Sequence, residues 1–177
     1  GVLAVGRSSL RRGRVGALTE SLLQADCVGA NGMVFTAGGP TVKNVAGYDL
    51  CRLLVGSLGT LALLGVVVLR TRPAPEHSTW LEGQVEPVVV SETCYRPASV
   101  LWDGAVTSVC LEGYRVDVRA QASALAHFGF IEVAGPPALP PVRARWEGEL
   151  PVGAILEVGT GVVHQVERFD PPPPTSA

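Results

Sequence analysis

Gly38-Gly39-Pro40-Thr41-Val42-Lys43-Asn44-Val45-Ala46-Gly47-Tyr48-Asp49-Leu50 leads through Cys51–Val55 to Gly56-Ser57-Leu58-Gly59-Thr60-Leu61, and then to an aliphatic run that lasts to Leu69. Glycine and proline at 38–40 break whatever precedes them. Asp49 is a residue type that caps helices. Leu50, Leu53 and Leu54, spaced i, i+3 and i+4, predict a short helix from Leu50 to about Val55. Gly56 and Gly59 stop it, and taken alone that pair is an ordinary helix terminator. Residues 61–69 are apolar or glycine throughout and rich in β-branched side chains. Such a run predicts a central strand covered on both faces, closed by Arg70, Arg72 and Pro73.

Upstream, residues 21–37 read as a β-hairpin, with Asn31-Gly32 expected to supply the two positive φ angles of a type I′ turn. Downstream, residues 76–95, following the prolines at 73 and 75, read as a linker. A second unit, 96–168, opens with another expected hairpin, Ser99–Trp102 and Ala105–Leu111 around Asp103-Gly104. A helix over 114–127 comes next, with Val118, Ala122 and Leu125 on one stripe and Gly129 as its stop. Strands are expected at Phe130–Val133, Ala154–Val158 and Val162–Val166. The proline-rich residues 169–177 read as a loose tail. The fold class that results is α+β.

Composition narrows the function. Of 177 residues, 47% are hydrophobic and 17% charged, which gives ample core material and argues against disorder. The formal net charge is −2, and Arg7, Arg11, Arg12 and Arg14 form the one basic cluster, read as a solvated face. Nucleic acid is therefore not an expected partner. Cys27, Cys51, Cys94 and Cys110 form no CxxC pair, and with three histidines no zinc spacing can be assembled, so no metal is expected. These thiols read as buried and unreactive in a reducing compartment. No run approaches the length of a membrane span. Residue 1 is glycine and the sole methionine is Met33, so either the amino terminus is processed or residue 1 lies inside a longer polypeptide, and the second is expected.

The run from Lys43 to Leu50, with Arg52-Leu53 and Gly56-Ser57-Leu58-Gly59-Thr60-Leu61, resembles the second half of the FAD-binding domain of the vanillyl-alcohol oxidase (PCMH) type. That family reads "K-[SN]-V-[AS]-G-[YF]-D-L" and then "G-S-x-G-T-L-G". The likeness is greatest to the FAD-binding subunits of bacterial glycolate oxidases. Gly1–Gly16 resembles the stretch from a "T-[IV]-G-G" motif to a "[YH]-G" pair. The resemblance implies that residues 1–75 are the second part of an incomplete FAD-binding domain, built on a mainly antiparallel sheet with short helices. It implies that 96–168 is a small α+β substrate or cap unit. It also implies that FAD is lined by Ala4, Val5, Gly6 and Arg7 and by Leu58, Gly59, Thr60, Leu61, Ala62, Leu63 and Leu64, where backbone approaches the cofactor without a Cβ in the way. Arg7 would offset phosphate charge.

The resemblance carries functional implications as well. The substrate would be a small 2-hydroxy acid such as glycolate, giving a hydride to flavin, with electrons passed to another subunit. The location would be cytoplasmic, or peripheral to a membrane through partner subunits. Two other readings stay open: a degenerate, non-catalytic structural subunit, and a flavin oxidase of the same fold acting on a sugar or alcohol. His164, Tyr114 and His127 are the available base-like residues, and no motif assigns one of them. Tyr48 and Lys43 read as structural, and Asp49 as a cap rather than an acid. Four positions depart from the family pattern: Val15 for Tyr or His, Glu20 for Asp, Ala62 for Gly, and Val66 for an acidic residue. Ala62 is expected to place a methyl where the backbone nears the cofactor. The pyrophosphate-binding loop of the family would lie before residue 1, so the strand at 61–69 is expected to lack a packing neighbour and the chain to be prone to aggregate.

Overall fold

Two separate hydrophobic cores organise the chain. The computed structural model describes residues 1–40 and 48–167. The motif residues at 41–47 and the tail at 169–177 lie outside them. The chain divides into two units, Gly1–Ala74 and Pro75–Ala177.

The first unit is a three-stranded antiparallel sheet in the order β2-β1-β3: β1 is Leu22–Gly29, β2 is Val34–Gly38 and β3 is Ala62–Leu69. Two short helices, α1 (Val2–Val5) and α2 (Arg12–Val15), and a 3-10 turn, Leu18–Glu20, precede it. Helix α3, Leu50–Leu54, begins where its cap predicts, and the Asp49 carboxylate accepts from the Arg52 N–H at 3.1 Å. Its buried face differs from the expected one. Cys51 and Leu54 enter the core, while Leu50 and Leu53 are exposed. They pack with Leu22, Ala25, Cys27, Ala37 and Ala62.

Strand β3 is the main correction in this unit. Among the described residues it is an edge strand, not a central one, and it is covered on one face only. Ala62 is buried, but Leu63 is 70% and Val66 65% exposed. A continuous aliphatic run fits an interior strand and an edge strand alike until its neighbours are known. A bulge sets Ala25–Cys27 against Leu64–Val67, which shifts the alternation so that Leu64 and Val67 both reach the core.

The hairpin β1–β2 is present with a different turn. Asn31 has no positive φ; Gly32 alone does, at 78°. The Gly32 N–H donates to Gly29 O and the Gly29 N–H to Met33 O, both at 2.9 Å. That is a type I turn followed by a left-handed glycine, the three-residue hairpin loop. Asn31 serves through its side chain, whose Oδ1 accepts from the Met33 N–H.

The second unit is a seven-stranded antiparallel sheet in the order β7-β4-β6-β5-β9-β10-β8. Its strands are β4 (His77–Gly83), β5 (Ser99–Trp102), β6 (Thr107–Gly113), β7 (Ile131–Val133), β8 (Val142–Arg145), β9 (Ile155–Glu157) and β10 (Val162–Gln165). Helix α4 is Val88–Thr93 and α5 is Arg115–Ala126. Val118 and Leu125 of α5 pack with Val90 of α4 on Leu81, Val109 and Leu111 of the sheet. All of β4 and all of α4 fall in residues 76–95, so the expected linker is a folded part of this unit. The prolines before it obscure a strand whose burial alternates at Thr79, Leu81 and Gly83. The hairpin at 99–113 closes on a four-residue loop in which Asp103 Oδ1 accepts from the N–H groups of Ala105 and Val106. No helix among the described residues is long and apolar enough to cross a membrane.

Candidate cofactor site

Ala4–Arg7 and Leu58–Leu64 are far apart in sequence, and the fold joins them. The Leu58 N–H donates to Ala4 O at 2.8 Å, and the Gly56 N–H donates to Leu3 O at 2.9 Å. Gly6 and Gly56 both have positive φ, 70° and 84°. A Cβ on Gly6 would lie 2.9 Å from Gly56 Cα, so only glycine allows this backbone crossing. The turn that follows α3 is self-bonded: Ser57 N–H and Oγ donate to Leu54 O, and Thr60 N–H and Oγ1 donate to Ser57 O. Leu58 sits at φ 55°, a strained conformation for a leucine, with its side chain 72% exposed. Space is open around Gly59. Val5, Arg7, Leu61 and Leu63 are exposed beside them, and Leu64 is half-buried.

The methyl of Ala62, expected at the cofactor, is packed in the core instead, 5% exposed, so it does not narrow the open edge of β3. Behind this site the Cys51 Sγ donates to Ala37 O and Leu23 O, and burial raises the thiols of Cys51 and Cys27 above the usual range. None of the four cysteines is in a disulfide. Burial also pushes the Cys94 thiol up to about 11. Thiols held in this state are poor nucleophiles.

The three base-like residues of the second unit are not gathered. Tyr114 caps α5 and is 74% exposed. His127 donates through Nδ1 to Ser123 O at 2.9 Å on the surface. His164, on β10, is buried, with Nε2 2.7 Å from Glu157 Oε1 of β9. Since a carboxylate accepts, Nε2 carries the hydrogen. Arg143 Nη2 of β8 lies 3.2 Å from the same oxygen, and Thr160 Oγ1 donates to Glu157 Oε2 at 3.4 Å. A buried carboxylate requires such partners. Sequence reasoning names His164 and misses Glu157 and Arg143. The signal lies in cross-strand register, His164 opposite both Arg143 and Ile155, which no local pattern reveals. Among the described residues no group of three acidic, histidine or cysteine side chains is arranged to hold a metal.

No family model matches the chain. Glycolate oxidase subunit GlcE of Escherichia coli (strain K12) is 33% identical over 149 residues, covering 76% of this chain and 40% of that protein. D-lactate dehydrogenase of Archaeoglobus fulgidus is 36% identical over 81 residues, 46% of this chain and 18% of the relative. Glycolate oxidase subunit GlcD of Bacillus subtilis (strain 168) is 40% identical over 67 residues, 38% of this chain and 14% of the relative. Among solved structures, alkyldihydroxyacetonephosphate synthase superposes with a TM-score of 0.54 over 78% of this chain and 35% of that one, at 15% identity, a likeness of fold. The chain thus spans less than half the length of these relatives. Other relatives are named FAD-linked oxidoreductases. In sequence this chain is similar to part of proteins named as glycolate oxidase subunits and FAD-linked oxidoreductases, and in fold to part of alkyldihydroxyacetonephosphate synthase.

Proposed function

We propose that this chain contributes the second part of an FAD site to an enzyme that oxidises a small 2-hydroxy acid such as glycolate. The observation that carries the reading is the crossing of Ala4–Gly6 with Gly56–Leu58. It brings together two backbone stretches, rich in glycine and flanked by exposed aliphatic side chains, at the start of an open strand edge. Such a surface accepts a large flat ligand close to the main chain. The residues present fit FAD in this respect: glycines admit backbone approach, Leu58, Leu61 and Leu63 offer apolar contact, and Arg7 adds a positive charge beside Gly6. When bound, flavin supplies the hydride acceptor. The chain's own residues bind and orient it and exclude water with the leucines around the turn.

The substrate class is drawn from the relatives, which are named for glycolate and for D-lactate, both 2-hydroxy acids. Two of them are named as subunits, and an electron-accepting partner subunit in the cytoplasm completes the proposal. The gene product that carries this chain is expected to purify yellow, or to turn yellow with added FAD, and to bleach with glycolate or D-lactate in the absence of an acceptor. A colourless protein that refuses FAD sinks the cofactor reading. A yellow protein that no 2-hydroxy acid reduces sinks the substrate reading alone.

A further inference from the structure

We infer that residues 134–141 form a proline-stiffened strap across the helix-free face of the second unit's sheet, and that this strap gates the polar groups of that face, closing them to solutes until it lifts. The inference concerns the second unit alone and does not rest on the FAD reading.

Side chains alternate along each strand, which sorts the sheet into two faces. On one face Leu81, Val109 and Leu111 pack with Val90 of α4 and with Val118 and Leu125 of α5. Cross-strand register puts Cys110, Ser108, Leu101, Glu157 and His164 on the other. There Ser108 Oγ donates to Glu82 Oε1, and Glu157 meets His164 and Arg143. Both helices of this unit lie on the first face, yet these five residues are each 4% exposed or less. Their cover comes from elsewhere.

The topology supplies it. Strands β7 and β8 are the two edges of the sheet, and since every pairing between them is antiparallel, β6, β7 and β8 all run the same way. Residues 134–141 therefore leave one end of β7 and enter β8 at the opposite end of the sheet. Six strand spacings measure roughly 29 Å on a flat sheet, and the polyproline II rise carries the chain from Val133 to Val142 about 28 Å. That leaves no slack for a detour, so the segment crosses a face. Helix α5 makes the step from β6 to β7 in one direction across the sheet, and the step from β7 to β8 goes in the other. Connections of the same right hand then lie on opposite faces. Burial along the segment fits a chain resting on a surface: Gly135, Pro137 and Leu139 are half-buried, and Ala134, Pro136 and Ala138 are exposed. Pro136, Pro137, Pro140 and Pro141 donate no hydrogen bond and hold an extended backbone. Among the described residues no main-chain hydrogen bond joins 134–141 to the sheet. The strap is fixed at its ends and by packing, so it lifts while the ladder beneath stays paired.

The Cys110 thiol reports the gate, because β6 lies between the two edges that the strap connects. Cys94, which packs with the helices on the other face, is the control within the same unit, and Cys27 and Cys51 are controls in the first. In the gene product that carries this chain, Gly-Ser-Gly-Ser inserted between Pro137 and Ala138 gives the strap slack. Alkylation of Cys110 by iodoacetamide, followed by peptide mass, is then expected to run about tenfold faster, since labelling of a covered group follows the population of its open form. The other three thiols and the urea midpoint should not change. An unaltered Cys110 rate overturns the inference, and so does an equal rise at Cys94, which marks loosening of the whole unit. Should the insertion fail to fold, Leu139→Ala decides, by removing a half-buried side chain of the strap. Cys110 labelling is expected to rise about threefold in L139A with Cys94 steady, and no rise overturns the gate.

Discussion

A methyl group added at Gly38 has nowhere to go. It would lie 2.2 Å from Leu23 O and 2.6 Å from Cys51 Sγ, and the backbone there has φ 74°. Gly59 shares the left-handed backbone, φ 79°, but faces open space. Gly59→Ala is therefore expected to cost about 1 kcal/mol through backbone conformation alone. Gly38→Ala adds the clash and should cost roughly 2 kcal/mol or more, read as the difference in urea midpoints. Equal losses would show that the β1–β2–α3 junction yields to the methyl. In the second unit, Glu157→Gln removes the charge that neutralises Arg143 and accepts from His164. Breaking a buried pair in this way is expected to destabilise by about 3 kcal/mol, and a neutral effect would mean that the cluster reorganises without cost. At this scale legibility is uneven. Asp49 declares its capping role because a cap is local in sequence. Ala62 misleads because a glycine-to-alanine change says nothing about which side of a strand the methyl occupies. Glu157 is invisible because its partners come from two neighbouring strands.

Elements are most legible where a signal is contained in one segment. Helix α5, from Arg115 to Ala126, follows its stripe of Val118, Ala122 and Leu125, and both hairpins form where turn residues interrupt apolar runs. Turn geometry is less so: Asn31-Gly32 and Asp103-Gly104 mark the right places, yet the loops are longer than two residues and the Asn and Asp act through their side chains. Elements β4 and α4 escape a sequence reading because proline and charge between 73 and 88 resemble a linker, whereas the pairing of β4 with β6 and β7 is long-range. Helix α4 carries a pH-dependent prediction. Its C-cap, Cys94, is held up to about 11 by burial, from an ordinary 9.0. The unfolded chain loses this proton first as pH rises, so the contribution of the neutral thiol is complete below about 9 and is lost between 9 and 11. The melting temperature should fall across that window, and Cys94→Ala should flatten the fall; an identical slope in the variant would remove Cys94 as its cause.

On the scale of the whole molecule, the near-neutral net charge conceals a separation. Residues up to Ala74 carry eight basic and three acidic side chains, and those from Pro75 carry six and thirteen, so the first unit is net +5 and the second −7. Two kinds of self-association are then expected, with opposite responses to salt. Opposite charges on different molecules attract at low ionic strength and are screened as the Debye length falls to about 8 Å near 0.15 M salt. The uncharged edge and exposed face of β3 associate through apolar contact and backbone pairing, which salt does not screen. Sedimentation of the 177-residue chain should therefore show assemblies at about 0.02 M salt that shrink towards 0.15 M, leaving a residual population. Val66→Lys puts a charge on the exposed face of β3 at little cost in stability, and it should remove the residual population while leaving the salt-sensitive part in place. A chain that is monomeric at every ionic strength would show that β3 is not an adhesive edge. A residual population that survives the lysine would place the contact on another surface, with the β2 edge and its exposed Val34 the next to test.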